Sequence, residues 1–211
     1  MSIEPSRDCS LCPRLAAFRK ANRKAEPGWF NAPVPCFGPV DAELLIVGLA
    51  PGLRGANRTG RPFTGDFAGE LLYATLKELG FGRGTYAARP DDSFHLVNAR
   101  IVNSVRCVPP ENKPLPSEIK TCRRFLIASM QEMKNVKAIV ALGKIAHDSA
   151  IMALGEKLSR FKFRHGAKHE LAGYTLFDSY HCSRYNTNTG VLTPRMFRAV
   201  FLAAKSSLKN N

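Results

Sequence analysis

The sequence predicts an α/β fold: a central four-stranded parallel sheet with helices packed on both faces, three layers in the order α/β/α. Two observations predict it. Four short apolar runs, AELLIVGLA (42–50), FHLVNARIVNSV (94–105), VKAIVALG (136–143) and YTLFDSYH (174–181), carry the aliphatic and β-branched residues of buried strands. Helical patterns alternate with them, and strand–helix–strand alternation is the pattern of a parallel sheet whose crossovers cover both faces.

In chain order, roughly the first 40 residues lack clear periodicity and read as an irregular segment tied down by its cysteines. After the first strand, AGELLYATLKELGF (68–81) places apolar residues at i, i+3 and i+4. After the second, SEIKTCRRFLIASMQEM (117–133) follows Pro116 and carries Glu118 in its first turn, as a helix start should. KIAHDSAIMALG (144–155) is the third helix, and TPRMFRAVFLAAKSSLK (193–209) the last, with Thr193 as N-cap and Pro194 at its first position. With 211 residues, 45% of them hydrophobic, the chain fits one domain over 1–211 with a proper core. No run is long and apolar enough to span a membrane, and the acidic, cysteine-bearing start is no signal peptide, so a cytoplasmic location follows by default. No additional interface element stands out, so a monomer is expected.

Charge is the first hint of function. Lys and Arg total 31 against 17 Asp and Glu, a formal +14, and the cations are scattered along the chain. That balance favours a polyanion such as DNA, because each cation set on a phosphate releases counterions. The six cysteines, in a chain with no secretory signal, point to ligands or free thiols over disulfides. Cys9 and Cys12 form a C-x2-C, and Cys107 and Cys122 flank a proline-rich stretch. The two pairs could close one thiolate site for zinc or a [4Fe–4S] cluster, and spacing does not choose between them. Cys36 and Cys182 stay outside that site.

Ligands of parallel sheets sit beyond the carboxyl ends of the strands, and this chain places its polar and glycine residues there. Residues 48–66, GLAPGLRGANRTGRPFTGD, form the richest such loop. A phosphate loop is excluded on two counts. GANRTGRP (55–62) has Arg61 where G-x-x-x-x-G-K-[ST] needs lysine, and Pro62 where it needs a hydroxyl. No G-x-G-x-x-G is present for a dinucleotide. His165 and His169 have metal-like spacing without the acid of H-E-x-x-H, and read as an exposed pair. A nucleobase fits better. Phe63 offers a ring to stack on, Asn103 an amide for a donor–acceptor edge, His181 a titratable group and Asp66 a carboxylate. Singly, these are ordinary core, turn and structural residues; it is their convergence on one sheet edge that points to a pocket.

At this point the residues resemble a known family. The stretch 48–66, together with HCSRYNTNTGVLT (181–193), is similar to the two signature motifs of the uracil-DNA glycosylase superfamily, in its family-5 (type b) branch. RCVPPENKP (106–114) and CSLC (9–12) match that branch too, so the resemblance runs from Cys9 to the last helix. It implies the uracil-DNA glycosylase-like fold and hydrolysis of the N-glycosidic bond of uracil, and of other deaminated bases such as hypoxanthine, in DNA. It implies a structural [4Fe–4S] cluster on Cys9, Cys12, Cys107 and Cys122. By the same resemblance His181 bonds the uracil carbonyl, Phe63 stacks on the base, and the backbone of Gly48, Leu49 and Ala50 contacts it. Leu49 cannot handle water, and in this branch the aspartate that ends the motif, Asp66, takes that task; Asn112 matches a further position implicated in activity. Some relatives carry alanine where Asn103 stands, so Asn103 is expected to sharpen the preference for uracil. Ser183, Arg184, Tyr185 and Asn186 form the loop that enters the duplex, and Arg54, Arg58 and Arg61 are expected on phosphates. The competing expectation is a non-catalytic iron–sulphur or zinc DNA-binding protein of the same fold.

Overall fold

The computed structural model describes residues 4–171 and 173–209. In chain order the elements are α1 (Pro13–Ala25), β1 (Leu44–Gly48), α2 (Ala56–Thr59), α3 (Phe67–Glu78), β2 (Gly82–Arg83), β3 (His95–Leu96), β4 (Ala99–Asn103), α4 (Pro116–Glu132), β5 (Ala138–Leu142), α5 (Lys144–Ala153), β6 (Lys168–Leu171), β7 (Tyr174–Ser179), α6 (Arg184–Asn188) and α7 (Pro194–Lys209), with 3-10 turns at Pro110–Asn112 and Leu158–Arg160. Strands β4, β1, β5 and β7 lie side by side and parallel, and β6 adds an antiparallel edge to β7. The four expected parallel strands are therefore present, with a fifth strand that the sequence reading did not include. Among the described residues no helix is long and apolar enough to cross a membrane.

Side-chain alternation in the central strands builds the layers. Leu44 and Ile46 face one side, where α3 and α7 pack, while Leu45 and Val47 face the other, where α4 and α5 pack. All four side chains are fully buried, as strands covered on both faces require. Helix α7 starts as its sequence indicates, with the Met196 N–H donating to Thr193 Oγ1 at 3.2 Å.

Two expectations need correction. The run 94–105 is not one strand: β3 pairs with β2 in a small separate sheet, and the chain turns before β4 enters the main one. Asn98 makes the turn, at φ 53°, and its side chain is clamped to Glu43, accepting from the backbone N–H and donating to the carboxylate, both at 2.8 Å. An asparagine tolerates this left-handed geometry better than a β-branched residue would. Nor is the N-terminal segment wholly irregular, because α1 occupies Pro13–Ala25. Its buried residues are Leu15 and Arg19, so half of its inward stripe is a cation and an apolar periodicity is not visible.

Candidate active site and cysteine nest

The carboxyl ends of β1, β4 and β7 meet in an open cleft of about 610 Å³. It is lined by Leu49, Ala50, Arg54, Phe63, Asp66, Asn103, Asn112, His181 and Ser183, with the glycine turn at Gly52 and Gly55. Gly48 pairs with Asn103 across the β1–β4 register and lies just behind the floor. A Cβ on Gly48 would stand 2.4 Å from Asn103 Oδ1 and 2.8 Å from Phe63 Cζ, so only glycine lets amide and ring close over the strand end. Asn103 is 2% exposed and its oxygen has no partner among the described residues. A buried acceptor left orphaned at the floor of a cleft is placed for a ligand.

Phe63 sits at φ 51°, unusual for a bulky residue, and its surroundings hold it there. The Tyr73 hydroxyl donates to Pro62 O at 2.5 Å and the Tyr86 hydroxyl to Phe63 O at 3.2 Å. A Cβ on Gly69 would lie 1.7 Å from that same carbonyl, which fixes glycine at the start of α3. Beneath runs Arg61, which corrects one expectation. It is buried, gives both terminal nitrogens to Asp92 at 2.8 Å, donates from Nε to Thr64 Oγ1 at 2.8 Å, and lies within 5.7 Å of the rings of Phe37, Tyr73 and Tyr86. Arg61 braces the Phe63 turn and is not presented to a phosphate. The Arg61 guanidinium holds the Asp92 carboxyl well below the usual range, against the smaller effect of burial.

Asp66 is the N-cap of α3, its Oδ1 accepting from the Gly69 N–H at 3.1 Å. Its Oδ2 lies against the glycine turn, where a Cβ at position 55 would come within 2.4 Å and one at 52 within 3.2 Å. Burial pushes its pKa up, more than the Gly69 and Ala68 amides pull it down, so the carboxylate is a better proton acceptor than a solvated one. His181 faces Phe63 with ring centroids 6.0 Å apart and planes 30° from parallel. Its backbone carbonyl accepts from Asn186 Nδ2 at 2.8 Å, but among the described residues its imidazole has no hydrogen-bond partner. Burial alone pushes its pKa down to about 4, which leaves a neutral ring at neutral pH.

Of the remaining candidates, Arg54 and Arg58 are exposed near the cleft, and Arg184 is exposed with its guanidinium 5.3 Å from the Phe67 ring. Tyr185 projects from α6 with 74% of its surface free. Asn186 instead turns inward to hold the His181 carbonyl. Sequence reading missed Tyr73, Tyr86 and Asp92. Asp92 lies in a PDDS turn, where an aspartate reads as a turn residue.

Cys9, Cys12, Cys107 and Cys122 line a second, small cavity of about 20 Å³, walled by Leu15, Val105 and Phe125. No disulfide joins them. The Arg19 guanidinium donates to Cys107 Sγ at 3.2 Å, and the Arg106 backbone N–H to Cys122 Sγ at 3.3 Å. As free thiols they are costly to ionise, since burial lifts Cys107 to about 11 and Cys122 to about 12. Four sulfurs around an apolar cavity, with cation and amide donors aimed at them, fit an anionic thiolate-bound centre. Among the described residues, ligand atoms gathered within 4.8 Å of one another in a group of three occur at His147, His169 and Asp178, not at these cysteines. The cysteine sulfurs are thus spread wider than the shell of a single ion. Cys36 lies outside the nest, accepting from the Arg106 guanidinium at 3.1 Å, and Cys182 is buried beside His181 with its thiol 3.5 Å from Ala68 O.

The histidine expectation also changes. His169 is mostly buried and meets Asp178 Oδ2 at 3.0 Å, and His147 meets Asp178 Oδ1 at 2.7 Å and Phe161 O at 2.9 Å. Both His147 nitrogens face acceptors, so both carry protons in this arrangement. Burial opposes that charge, but Asp178 and the Phe161 carbonyl outweigh it and the pKa is raised. His165 accepts from the Tyr180 N–H at 3.0 Å. Neither His165 nor His169 is a solvated surface histidine.

Comparison with known proteins agrees with this geometry. Residues 35–205 match the family model described as the uracil DNA glycosylase superfamily. A Type-5 uracil-DNA glycosylase of Thermus thermophilus is 44% identical over 204 residues, covering 93% of this chain and 92% of the relative. The Pyrobaculum aerophilum Type-5 uracil-DNA glycosylase is 37% identical, over 88% of this chain and 83% of its own. A Type-4 uracil-DNA glycosylase of Thermotoga maritima is 34% identical over 82% of this chain and 81% of its own.

Proposed function

Because the chain belongs to the uracil DNA glycosylase superfamily, we propose that it hydrolyses the bond between uracil and deoxyribose in DNA and leaves an abasic site. The observation that supports this reading is the buried Asn103 Oδ1 at the cleft floor, which has no partner among the described residues and, like the Phe63 ring, packs close against Gly48. An amide pairs with one donor and one acceptor on a base edge, and a buried amide without its base stays unsatisfied.

In this reading the extruded uracil stacks on Phe63 and pairs with Asn103. The bond from C1′ to N1 breaks with its electron pair moving onto the base, so negative charge grows on the uracil carbonyl. His181, neutral and free of other partners, donates an N–H to that oxygen, and a site shielded from water strengthens the bond as charge develops. A water held by Asp66 attacks C1′ and gives up its proton to the Oδ2 that faces the glycine turn, while Leu49 beside it contributes only apolar surface. In this reading Asn112, at φ 58° on the cleft rim, orients water or sugar. Arg54 and Arg58 meet phosphates, and Tyr185 with Ser183 and Arg184 fills the gap left by the extruded nucleotide. In this reading the enzyme also acts on other deaminated bases such as hypoxanthine, with Asn103 favouring uracil.

Cys9, Cys12, Cys107 and Cys122 hold a [4Fe–4S] cluster in this reading, supported by the sulfur spacing and the two N–H donors. When bound, it would tie the N-terminal segment to Cys107 in the chain before α4 and to Cys122 within α4, and would take no part in the hydrolysis. The whole chain then serves as one unit, acting as a single copy.

The test is alkali-revealed cleavage of a uracil-containing duplex by the pure protein, with Asp66→Ala and Asn103→Ala alongside. Strand breaks from wild type, lost with Asp66→Ala and turned away from uracil with Asn103→Ala, are expected. Salt-sensitive DNA binding without cleavage of any deaminated base would overturn the enzyme reading and leave a DNA-binding protein.

A further inference from the structure

The segment 157–168, which runs from the end of α5 through the 3-10 turn at Leu158–Arg160 to the first residue of β6, carries five cations, Lys157, Arg160, Lys162, Arg164 and Lys168. Its side chains alternate. Phe161, Phe163 and His165 turn inward, while Lys162 and Arg164 are exposed between them. The inward residues are fastened to the sheet: Phe163 meets the His147 ring at 5.7 Å, and His165 stacks on Tyr180 at 4.9 Å. Backbone groups add anchors. Phe161 O accepts from His147 Nε2 at 2.9 Å, and the N–H groups of Arg164 and Gly166 donate to Asp178 at 3.3 and 2.8 Å. Tyr180 immediately precedes His181, so the strip begins at the His181 side of the cleft and follows the outer edge of the sheet.

Two of the five cations are engaged, Arg160 with Glu156 at 2.9 Å and Lys168 with Glu170 at 2.8 Å. Lys157, Lys162 and Arg164 have no ion-pair or side-chain hydrogen-bond partner among the described residues. A mobile basic loop would be unremarkable. This one is pinned by a fully buried carboxylate and two histidines, and holds Lys162 and Arg164 outward between its anchored residues, with Lys157 exposed just before the 3-10 turn. We propose that segment 157–168 is a second DNA-phosphate contact, engaging the duplex backbone beyond the cleft on the His181 side. It rests on the DNA reading above and extends the footprint past the loops that reach the base.

Each phosphate contact contributes about 0.9 to the slope of log K against log salt on duplex DNA. The test is binding of a uracil-free duplex across a salt series by the triple variant Lys157→Gln/Lys162→Gln/Arg164→Gln. The comparison variant is Lys77→Gln/Lys134→Gln/Lys209→Gln, which removes the same charge. Its positions lie at the far end of α3, before β5 and at the end of α7, all away from the cleft edge. A slope shallower by about 2 to 3 in the first variant and unchanged in the second is expected. Equal slopes in both variants, or no change in the first, would overturn the proposal. So would loss of binding to anionic phospholipid vesicles with DNA affinity intact, which would make the strip a membrane contact. Because the duplex contains no uracil, the slope reads the strip even in a protein that excised nothing, whereas absence of cleavage by wild type bears on the enzyme reading alone. The substituted side chains hold nothing inside the protein, so the melting temperature should not move.

Discussion

On the Phe63 side of the cleft, a left-handed backbone is held by two tyrosine hydroxyls and by a buried arginine locked to Asp92. On the His181 side, the imidazole has no hydrogen-bond partner among the described residues and the chain continues into α6, a helix with no buried residue that carries the exposed Tyr185. One wall is fixed before any base arrives. The other is tied by few contacts, such as the Ser183 hydroxyl accepting from the Asn186 N–H at 3.3 Å and Asn186 reaching back to the His181 carbonyl. Segments with few buried contacts open at low free-energy cost, which suits a lip that must admit a nucleotide. The Phe63 wall needs the opposite if, as proposed, it stacks on a flat base.

That contrast predicts opposite behaviour when each wall is cut. The largest effect on stability is expected from Asp92→Ala, which strands the Arg61 charge in an aromatic surround; denaturant unfolding should show a loss of about 3–5 kcal/mol. If the loss falls below about 1 kcal/mol, the wall is not fixed by this pair. The same pair sets an acid limit. The Asp92 carboxyl is held low by Arg61, so its contribution is complete above the ordinary aspartate range near 4 and is lost as pH falls through the lowered value.

His181→Ala should reverse the pattern, with kcat down about 10²- to 10³-fold and little loss of stability, because a single donor to the departing base is removed. A second measurement sharpens the point. A folded histidine near 4 refuses a proton that the unfolded chain accepts near 6.5, so the wild type loses stability as pH drops between those values. The variant should lack that component of the slope; an unchanged slope would mean that the ring is not buried neutral. The smallest effect is expected from Tyr86→Phe, which removes one hydroxyl from the Phe63 carbonyl. A loss of about 1 kcal/mol, with KM raised more than kcat is lowered, would mark a brace on the stacking wall.

The fold was legible where burial is apolar. The four parallel strands announced themselves because both of their faces are covered, and α3, α4 and α7 because each shows one apolar stripe. Helix α1 was not legible, since its inward face carries Arg19, and β3 was fused to β4 because Asn98 does not stand out as a turn residue inside an aliphatic run. At the site, the cleft gathered Asp66, Phe63, Asn103, Asn112 and His181 from four separate stretches because motif and sheet edge coincide. Arg61 was misread for a physical reason. A sequence displays a charge but not its partner, and Asp92 stands 31 residues further on. His169 was misread likewise, for its partner Asp178 lies on the neighbouring strand.

The four nest cysteines also set an order of events during synthesis. Cys122 completes their set, and His181 follows it by 59 residues. At the usual pace of translation that interval is roughly 3–12 s. Strands β1 and β4, which carry the glycine loop and Asn103, are already made by then, while β7 is not. On the proposed reading, the growing chain therefore owns a complete sulfur site while the cleft edge still lacks His181, so a cluster would be taken up on a nascent chain before its proposed catalytic cleft is complete.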